Sequence, residues 1–402
     1  MKFIENVEIN RYREFESNHK KSHFLQSYEW GLFCKRAKGQ VPCYVGMEDE
    51  NGNLVATCLI LLRKTPFGFS YGYAPRGFIL DYSNKDVIKV FTTYLKEYMK
   101  NNKIIYIKFD PDIKYQDIDE NGNKIDGGEN NYELYNYMLS LGYKHTGFYR
   151  LYEGNQPRYT FRINLKKSWE EIEAKFNKSF MKSVKRSYSY NLIVDNDVKV
   201  DDFYRLIQSN SSKDDFDPHS LEYYKIFSEE MSKDNNMKYF NISIRPKELL
   251  ENINKEIDAL NKELEVNKKK EADIKNKIAR FEKEKEVFSK IDKDEVCICS
   301  LICTYTKTHA WSLYIGSDDL ANFTFAVIRS YYEAIKDAYN NFKKIINYYK
   351  FSDNNKCRNL LKMLMIKVMS FLICLVHPVI QILNIRTWLN FMILKENLGM
   401  NI

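Results

Sequence analysis

From residue 246 to residue 291 the apolar positions form a thin repeat. They fall at Leu250, Ile253, Ile257, Leu260 and Leu264 and, past the polar break Asn267-Lys268-Lys269-Lys270-Glu271, at Ile274, Ile278, Phe281 and Phe288. Alternating steps of three and four draw one narrow stripe along a helix, the seam of a coiled coil rather than the broad face of a helix lying on a core. Almost everything else in the stretch is Lys, Glu or Asn. One partner helix is enough to cover such a stripe. The expectation is two helices folded back as an antiparallel coiled-coil hairpin arm that stands away from the body, with one long helix as the alternative. Pro246 suits a first helical position, where its missing N–H would have had no partner anyway.

The segments around this arm have a different period. Residues 41–47 and 54–62 are apolar runs separated by the turn Glu50-Asn51-Gly52-Asn53, which reads as a hairpin. Short strands at 69–73 and 78–80 flank Ala74-Pro75-Arg76-Gly77, a helix follows over 86–101, and a strand over 104–109. Residues 115–131 read as a surface loop and 132–141 as a helix. A second unit starts near Gln156: a strand over 159–165, one helix over 169–188, a strand over 192–194, a helix over 200–210, strands over 296–304 and 310–315, and a helix over 323–341. Strand pairs followed by helix and strand give a mixed α/β (α+β) layer rather than a bundle. A chain of 402 residues exceeds the size at which one core stops growing. Two domains are expected, 1–155 and 156–350, with 246–291 inserted in the second.

Searches for a built-in nucleophile fail. The sequence has no GxSxG, P-loop, HExxH or Rossmann fingerprint. Its eight cysteines form no CxxC pair and no His lies at zinc-finger spacing, so the cysteines read as buried thiols. Buried thiols, and a start (MKFIENVEIN) without an apolar signal core, lead to the expectation of a reducing, cytoplasmic setting. A net charge of +8 permits a polyanionic partner without requiring one. Chemistry in such a chain would rest on positioning two substrates.

Several segments occur in an order that resembles the FemABX family. They are Ser27-Tyr28-Glu29-Trp30-Gly31, Tyr73-Ala74-Pro75-Arg76-Gly77, Lys108-Phe109-Asp110-Pro111, Gln156-Pro157-Arg158, the basic helix 178–186, the charged arm, and Trp311-Ser312-Leu313-Tyr314-Ile315-Gly316-Ser317. The resemblance covers roughly residues 1–340. It implies two acetyltransferase-like (GNAT) halves with a coiled-coil arm. It also implies an aminoacyltransferase that moves an amino acid from aminoacyl-tRNA to an amine of the peptidoglycan stem peptide on lipid II, building the interpeptide bridge without cofactor or metal. The partners implied are aminoacyl-tRNA, the lipid-linked precursor and, peripherally, the inner face of the plasma membrane. Two other readings compete: an acyl-CoA-dependent GNAT acyltransferase, for which the Gly-rich pyrophosphate loop is missing, and a non-catalytic RNA- or partner-binding protein built on the arm.

Carried over residue by residue, the resemblance puts Tyr73, Arg76 and Asp110 on the precursor, with Asp110 alternatively a turn residue before Pro111 and Arg76 alternatively a surface charge. Lys35 stands near a phosphate-contacting Lys. Tyr223 matches a tyrosine of the substrate groove, although the Arg that often precedes it is replaced by Asp217-Pro218-His219. Tyr314 and Gly316 match a strand end lining the second cleft, with core packing as the alternative. Lys178, Lys182, Lys185 and Arg186 share one helical face suited to tRNA or diphosphate, or form a solvated face.

After about residue 345 the sequence changes character. The stretch 360–383 is apolar yet holds Lys362, Lys367, His377 and Pro378, which argues against a membrane span. Read two bases along, permitted codons for 363–402 yield a strand, a Gly-rich turn and a Tyr-x-Phe-Lys element like the family's ending. The expectation is a frame-shifted tail over 351–402. The family's Phe-Lys catalytic element is then absent, with Lys395 no match for it, and the second domain loses its last strand.

Overall fold

The computed structural model describes residues 1–342, apart from 120, 149–155, 157–159, 161, 215 and 268–269, together with the backbone of 386–388 and 392–395. In the first half the strands are β1 (Lys2–Ile4), β2 (Val41–Glu48), β3 (Leu54–Lys64), β4 (Ser70–Ala74), β5 (Ile79–Leu80), β6 (Ile104–Phe109), β7 (Lys114–Asp117) and β8 (Tyr143–His145). Its helices are α1 (Ile9–Asn18), α2 (Tyr28–Lys38), α3 (Lys85–Asn101) and α4 (Tyr132–Ser140). The second half contributes β9 (Ile193–Asp195), β10 (Met237–Ile244), β11 (Val296–Tyr305) and β12 (Ala310–Ser317). Around them lie α5 (Trp169–Glu173), α6 (Lys178–Ser187), α7 (Val200–Asp214), α8 (Leu221–Met231), α9 (Pro246–Val266), α10 (Glu271–Phe288), α11 (Leu320–Thr324) and α12 (Ala326–Phe342). Two short strands close the list, β13 (Arg386–Trp388) and β14 (Met392–Lys395).

The larger sheet runs β1-β2-β3-β4-β6-β14-β8, with β5 on β3. Only β4 and β6 are parallel neighbours, so their carboxyl ends open side by side at Ala74 and Phe109. The smaller sheet, β12-β11-β10-β9, is antiparallel throughout. This is the mixed α/β architecture expected. In the tail, β14 supplies a strand to the larger sheet, between β6 and β8, and adds none to the smaller one. Residues 343–385, including the apolar stretch 360–383, lie outside the described residues.

The segment Ser27-Tyr28-Glu29-Trp30-Gly31 shows how local sequence sets the fold. The Ser27 hydroxyl caps α2 by accepting from the Trp30 N–H at 3.1 Å. Trp30 turns into the core, and Gly31 leaves room for Tyr44, whose ring carbon Cζ would stand 2.8 Å from a Cβ there. The Tyr44 hydroxyl is thereby free to donate to the Tyr28 carbonyl at 2.8 Å.

One buried cluster belongs to both halves. Tyr12, Phe24, Trp30, Phe33, Leu59 and Leu61 pack with Phe203, Tyr224, Phe227, Met231, Tyr239 and Ile302. The Phe33 and Phe227 rings meet edge to face at 5.3 Å between α2 and α8. On the rim, Arg36 bridges to Glu230 at 2.6 Å and to Glu229 at 2.7 Å.

The arm is an antiparallel pair, α9 against α10, with Leu249, Ile253, Ile257 and Leu260 buried on α9 and Ile274 and Phe288 on α10. Its base does not stand clear of the body. Leu249, Ile253, Ile257 and Phe288 share a core with Ile242, Ile244, Ile298 and Val327. Buried Glu284 accepts from the Tyr190 hydroxyl at 3.0 Å. The stripe therefore widens near the body and stays a narrow seam toward the tip, where Val266 is 86% exposed.

Three local readings need correction. The stretch 169–188 is two helices: the first ends at Glu173, and Asn177 caps the next, its side chain accepting from Ser179 N. The helix expected from 323 is likewise two, divided at Phe325, whose φ is 60°. The described part of 159–165 is not strand.

Phe227 is fully buried in the shared core, so Phe227→Ala is expected to cost about 3–5 kcal/mol. Both halves should unfold in one urea transition, with tryptophan fluorescence and far-UV circular dichroism coinciding. Two separated transitions would show that the cluster does not couple them.

Candidate active site

The residues singled out from sequence fall into two main groups of side chains. The first lies at the open carboxyl ends of β4 and β6. Asp110, just past β6, is completely buried. The Tyr73 hydroxyl donates to its Oδ2 at 3.0 Å and the Arg76 backbone N–H to its Oδ1 at 2.7 Å. Arg76 holds a left-handed φ of 54° and its side chain is 5% exposed, so it is not a surface charge. Gln26 braces the same turn, its Nε2 donating to the Pro75 carbonyl at 2.7 Å and its Oε1 accepting from Leu59 N at 2.9 Å. Burial pushes the Asp110 carboxyl up to about 6, against the opposing pull of the Arg76 charge and the two donors. Tyr73 is half-buried, and burial followed by the Asp110 charge raises its hydroxyl well above the ordinary range. Asp110 thus organises the turn, while Tyr73 is the member of the group that keeps some exposure.

Next to this turn sits a charged cluster that sequence reading missed. Arg162 donates to both carboxylate oxygens of Asp112, at 2.8 and 2.7 Å, and Lys21 Nζ donates to the Asp112 carbonyl at 2.8 Å. Burial would raise the Asp112 carboxyl, but Arg162, Arg76 and Lys21 outweigh it and hold the group well below the carboxylate range. His23 and His309 border the cluster through Trp311, with ring centroids 4.5 and 5.5 Å away. Burial keeps both imidazoles neutral, His309 at about 4.

The second group joins α2, α8 and β12. The Tyr223 and Tyr314 hydroxyls are 3.1 Å apart, and the His219 ring stacks on Tyr223 at 3.8 Å. Over these rings lies Lys38, 5.0 Å from Trp30, 5.3 Å from Phe33 and 5.7 Å from Tyr223. Burial and the Arg63 charge lower its ammonium, and burial followed by the Lys38 charge lowers His219. The cation of this group is therefore Lys38. Lys35, the residue singled out from sequence, lies one turn earlier on α2; both lysines are exposed, and it is Lys38 that lies over the rings. Helical spacing carried the signal, since 30, 34 and 38 put Lys38 on the same face as buried Trp30 and Cys34.

Gly316 has a packing role. A Cβ there would lie 2.7 Å from Ile207 N and 2.9 Å from Leu206 Cβ, so it lets α7 approach β12. On α6, Lys178, Lys182 and Lys185 are exposed, whereas the Arg186 guanidinium lies 4.5 Å over the Phe325 ring. With Met181 and Ser189 these four basic residues line a shallow groove beside the base of the arm. Pro157 and Arg158 lie outside the described residues. Among the described residues no cluster of His, Cys, Asp and Glu suits a metal ion, and no helix is long and apolar enough to cross a membrane.

Two α/β sheets joined by one aromatic core, with a helical arm rooted in the smaller one, define the class. The FemAB family model matches residues 7–354, and the chain belongs to the FemAB family. Aminoacyltransferase FemA of Staphylococcus aureus strain bovine RF122 / ET3-1 is 31% identical over 170 residues, 41% of this chain and 39% of that protein. FemA of strain MW2 matches to the same extent. The chain thus spans about two fifths of the length of the curated relatives it matches. In three dimensions, the crystal structure of FemX superposes with a TM-score of 0.70 at 18% identity, covering 99% of this chain and 98% of that one, which is a likeness of fold.

The Asp110 carboxyl titrates near 6 instead of the ordinary 3.8, so the folded state favours its proton. The stability it lends is whole below 3.8 and is lost as pH rises through 6, about 3 kcal/mol for a shift of this size. Unfolding free energies at pH 4 and pH 7 should therefore differ by about that much more in the parent than in Asp110→Asn. An unchanged pH slope in the variant would remove Asp110 from this role.

Proposed function

We propose that the chain is an aminoacyltransferase that moves an amino acid from aminoacyl-tRNA to the stem-peptide amine of a lipid-linked peptidoglycan precursor, in the cytoplasm. The observation that carries this reading is Lys38 over the ring of Tyr223, whose hydroxyl meets that of Tyr314, in a chain that also gathers Tyr73, Arg76 and Asp110 at one turn. The first group offers a cation for a phosphate group, and the second offers polar groups for a peptide. An aminoacyl ester is already activated, so a site of this kind has only to align two bound substrates and stabilise an oxyanion. The amine lone pair forms the new C–N bond and the ester C–O bond breaks. The ribose oxygen leaves with one proton while the attacking nitrogen gives one up. No enzyme-bound intermediate is needed.

In this reading Lys178, Lys182 and Lys185 on α6 meet phosphates of the tRNA, as exposed cations on one face can. Tyr223, Tyr314 and Lys38 hold the precursor near its diphosphate, and Asp110 holds Tyr73 and the Arg76 turn in place. The reading includes a frame-shifted tail over 351–402. The chain as written then lacks the Phe-Lys element and turns over weakly.

Purified protein, charged tRNA and a precursor with labelled stem peptide test the proposal. A frame-corrected chain should transfer the amino acid. In it, Lys38→Ala should raise KM for the precursor about tenfold or more, from the loss of one charged contact, while Lys35→Ala should leave KM within about twofold. No transfer by the frame-corrected chain would sink the proposal.

A further inference from the structure

A lipid-linked substrate has its tail attached at the diphosphate, so the edge of the protein nearest that group has to meet the bilayer. This step rests on the proposed function; the surface it leads to is defined by observations of its own. The strand β3 runs from the shared core outward. Leu59 and Leu61 are buried against α2, and by alternation Arg63 is the next residue on that face. Its charge acts on Lys38. Immediately beyond lies the β3–β4 hairpin. Its turn is closed by Thr65 N to the Phe69 carbonyl at 2.8 Å and Gly68 N to the Thr65 carbonyl at 3.4 Å.

At the end of this locked turn, between Pro66 and Gly68, Phe67 is 87% exposed. Val41, paired with Leu62 at the start of β2, is 42% exposed on the same edge. Isolated exposed apolar residues are ordinary on protein surfaces. Phe67 differs from those in what surrounds it. Lys64 pairs with Ser70, and Ser70 N donates to the Lys103 carbonyl at 3.0 Å, so two exposed lysines flank the turn and Arg63 lies behind it. From Leu54 to Leu80 the sequence contains no acidic residue. An outward aromatic ringed by cations, with no carboxylate in its own segment, matches an anionic lipid headgroup layer in charge and polarity.

We propose that the β3–β4 hairpin is a membrane wedge: Phe67 enters the interfacial zone of an anionic bilayer while Arg63, Lys64 and Lys103 contact lipid phosphates. The hairpin thereby sets Lys38 at the height where a lipid diphosphate emerges.

The test is co-sedimentation of the full chain with phosphatidylglycerol/phosphatidylcholine vesicles and, in parallel, with phosphatidylcholine alone. Binding is expected only to the anionic vesicles and should weaken as salt rises. Phe67→Ala should weaken it about tenfold, from loss of one buried aromatic side chain. Lys64→Gln with Lys103→Gln should weaken it roughly twentyfold, each cation near the surface contributing about fivefold. Phe67→Trp keeps an aromatic at an exposed position, so folding is not at issue. The fluorescence of the introduced indole should shift to the blue on anionic vesicles and be quenched by brominated acyl chains. Anionic-vesicle binding that Phe67→Ala leaves intact, or a Phe67→Trp emission that ignores the vesicles, overturns the proposal and points to another surface such as the arm tip. If the frame-corrected enzyme transfers to a water-soluble precursor but sediments with no vesicles, the wedge falls and the aminoacyltransferase reading stands. If the chain binds through Phe67 but transfers nothing, the wedge stands and the enzymatic reading falls.

Discussion

The contact between α2 and α8 is the interaction on which the rest depends. Trp30 and Phe33 from one side and Phe227 and Tyr224 from the other are buried in a single aromatic cluster, and both sheets lean on it through Leu59, Leu61, Tyr239 and Ile302. Energetically the rings decide the matter. The Arg36 bridge to exposed Glu229 is a surface pair, and such pairs contribute about 0.2–1 kcal/mol; the bridge to Glu230 joins a half-exposed guanidinium to a buried carboxylate. Burial of several aromatic side chains is worth several times that. The site follows from the same contact. Lys38 extends α2 past the cluster and Tyr223 starts α8 beside it, so packing the two helices brings the cation over the rings.

Much of this architecture was legible because it is written in period. The arm's repeat, the β2–β3 hairpin and the helix α3 each carry a local pattern that no tertiary contact overrides. The misses are where the pattern is local but the partner is not. Met237–Ile244 forms β10, a central strand of the smaller sheet, yet its alternation is blurred because residues on both of its faces are buried. Asn177 divides α5 from α6 by capping, a one-residue signal inside a run that otherwise keeps helical spacing. The depth to which the arm's base enters the body depends on Ile242, Ile298 and Val327, which lie far from it in sequence.

The candidate site was legible to about the same degree. Tyr73, Arg76 and Asp110 do come together, because strand ends in a parallel pair gather whatever follows them. Their ranking was not readable. Only the fold shows that Asp110 is sealed off behind Tyr73, and that Gly316 serves helix packing. Lys38 was within reach of the helical period, three residues from Lys35. Asp112 with Arg162 was not, since nothing at residue 112 announces a partner fifty positions later.

The way the arm is rooted sets a length. Because Leu249, Ile253 and Phe288 are part of the smaller sheet's own core, α9 and α10 cannot swing at their base without opening that core. A helix of 21 residues rises about 30 Å. The molecule therefore carries a fixed ruler: whatever rests on the tip near Val266 is held at a set reach from β10 and β11, and shortening the arm by whole turns would move that point inward in steps of about 5.4 Å without touching the groove.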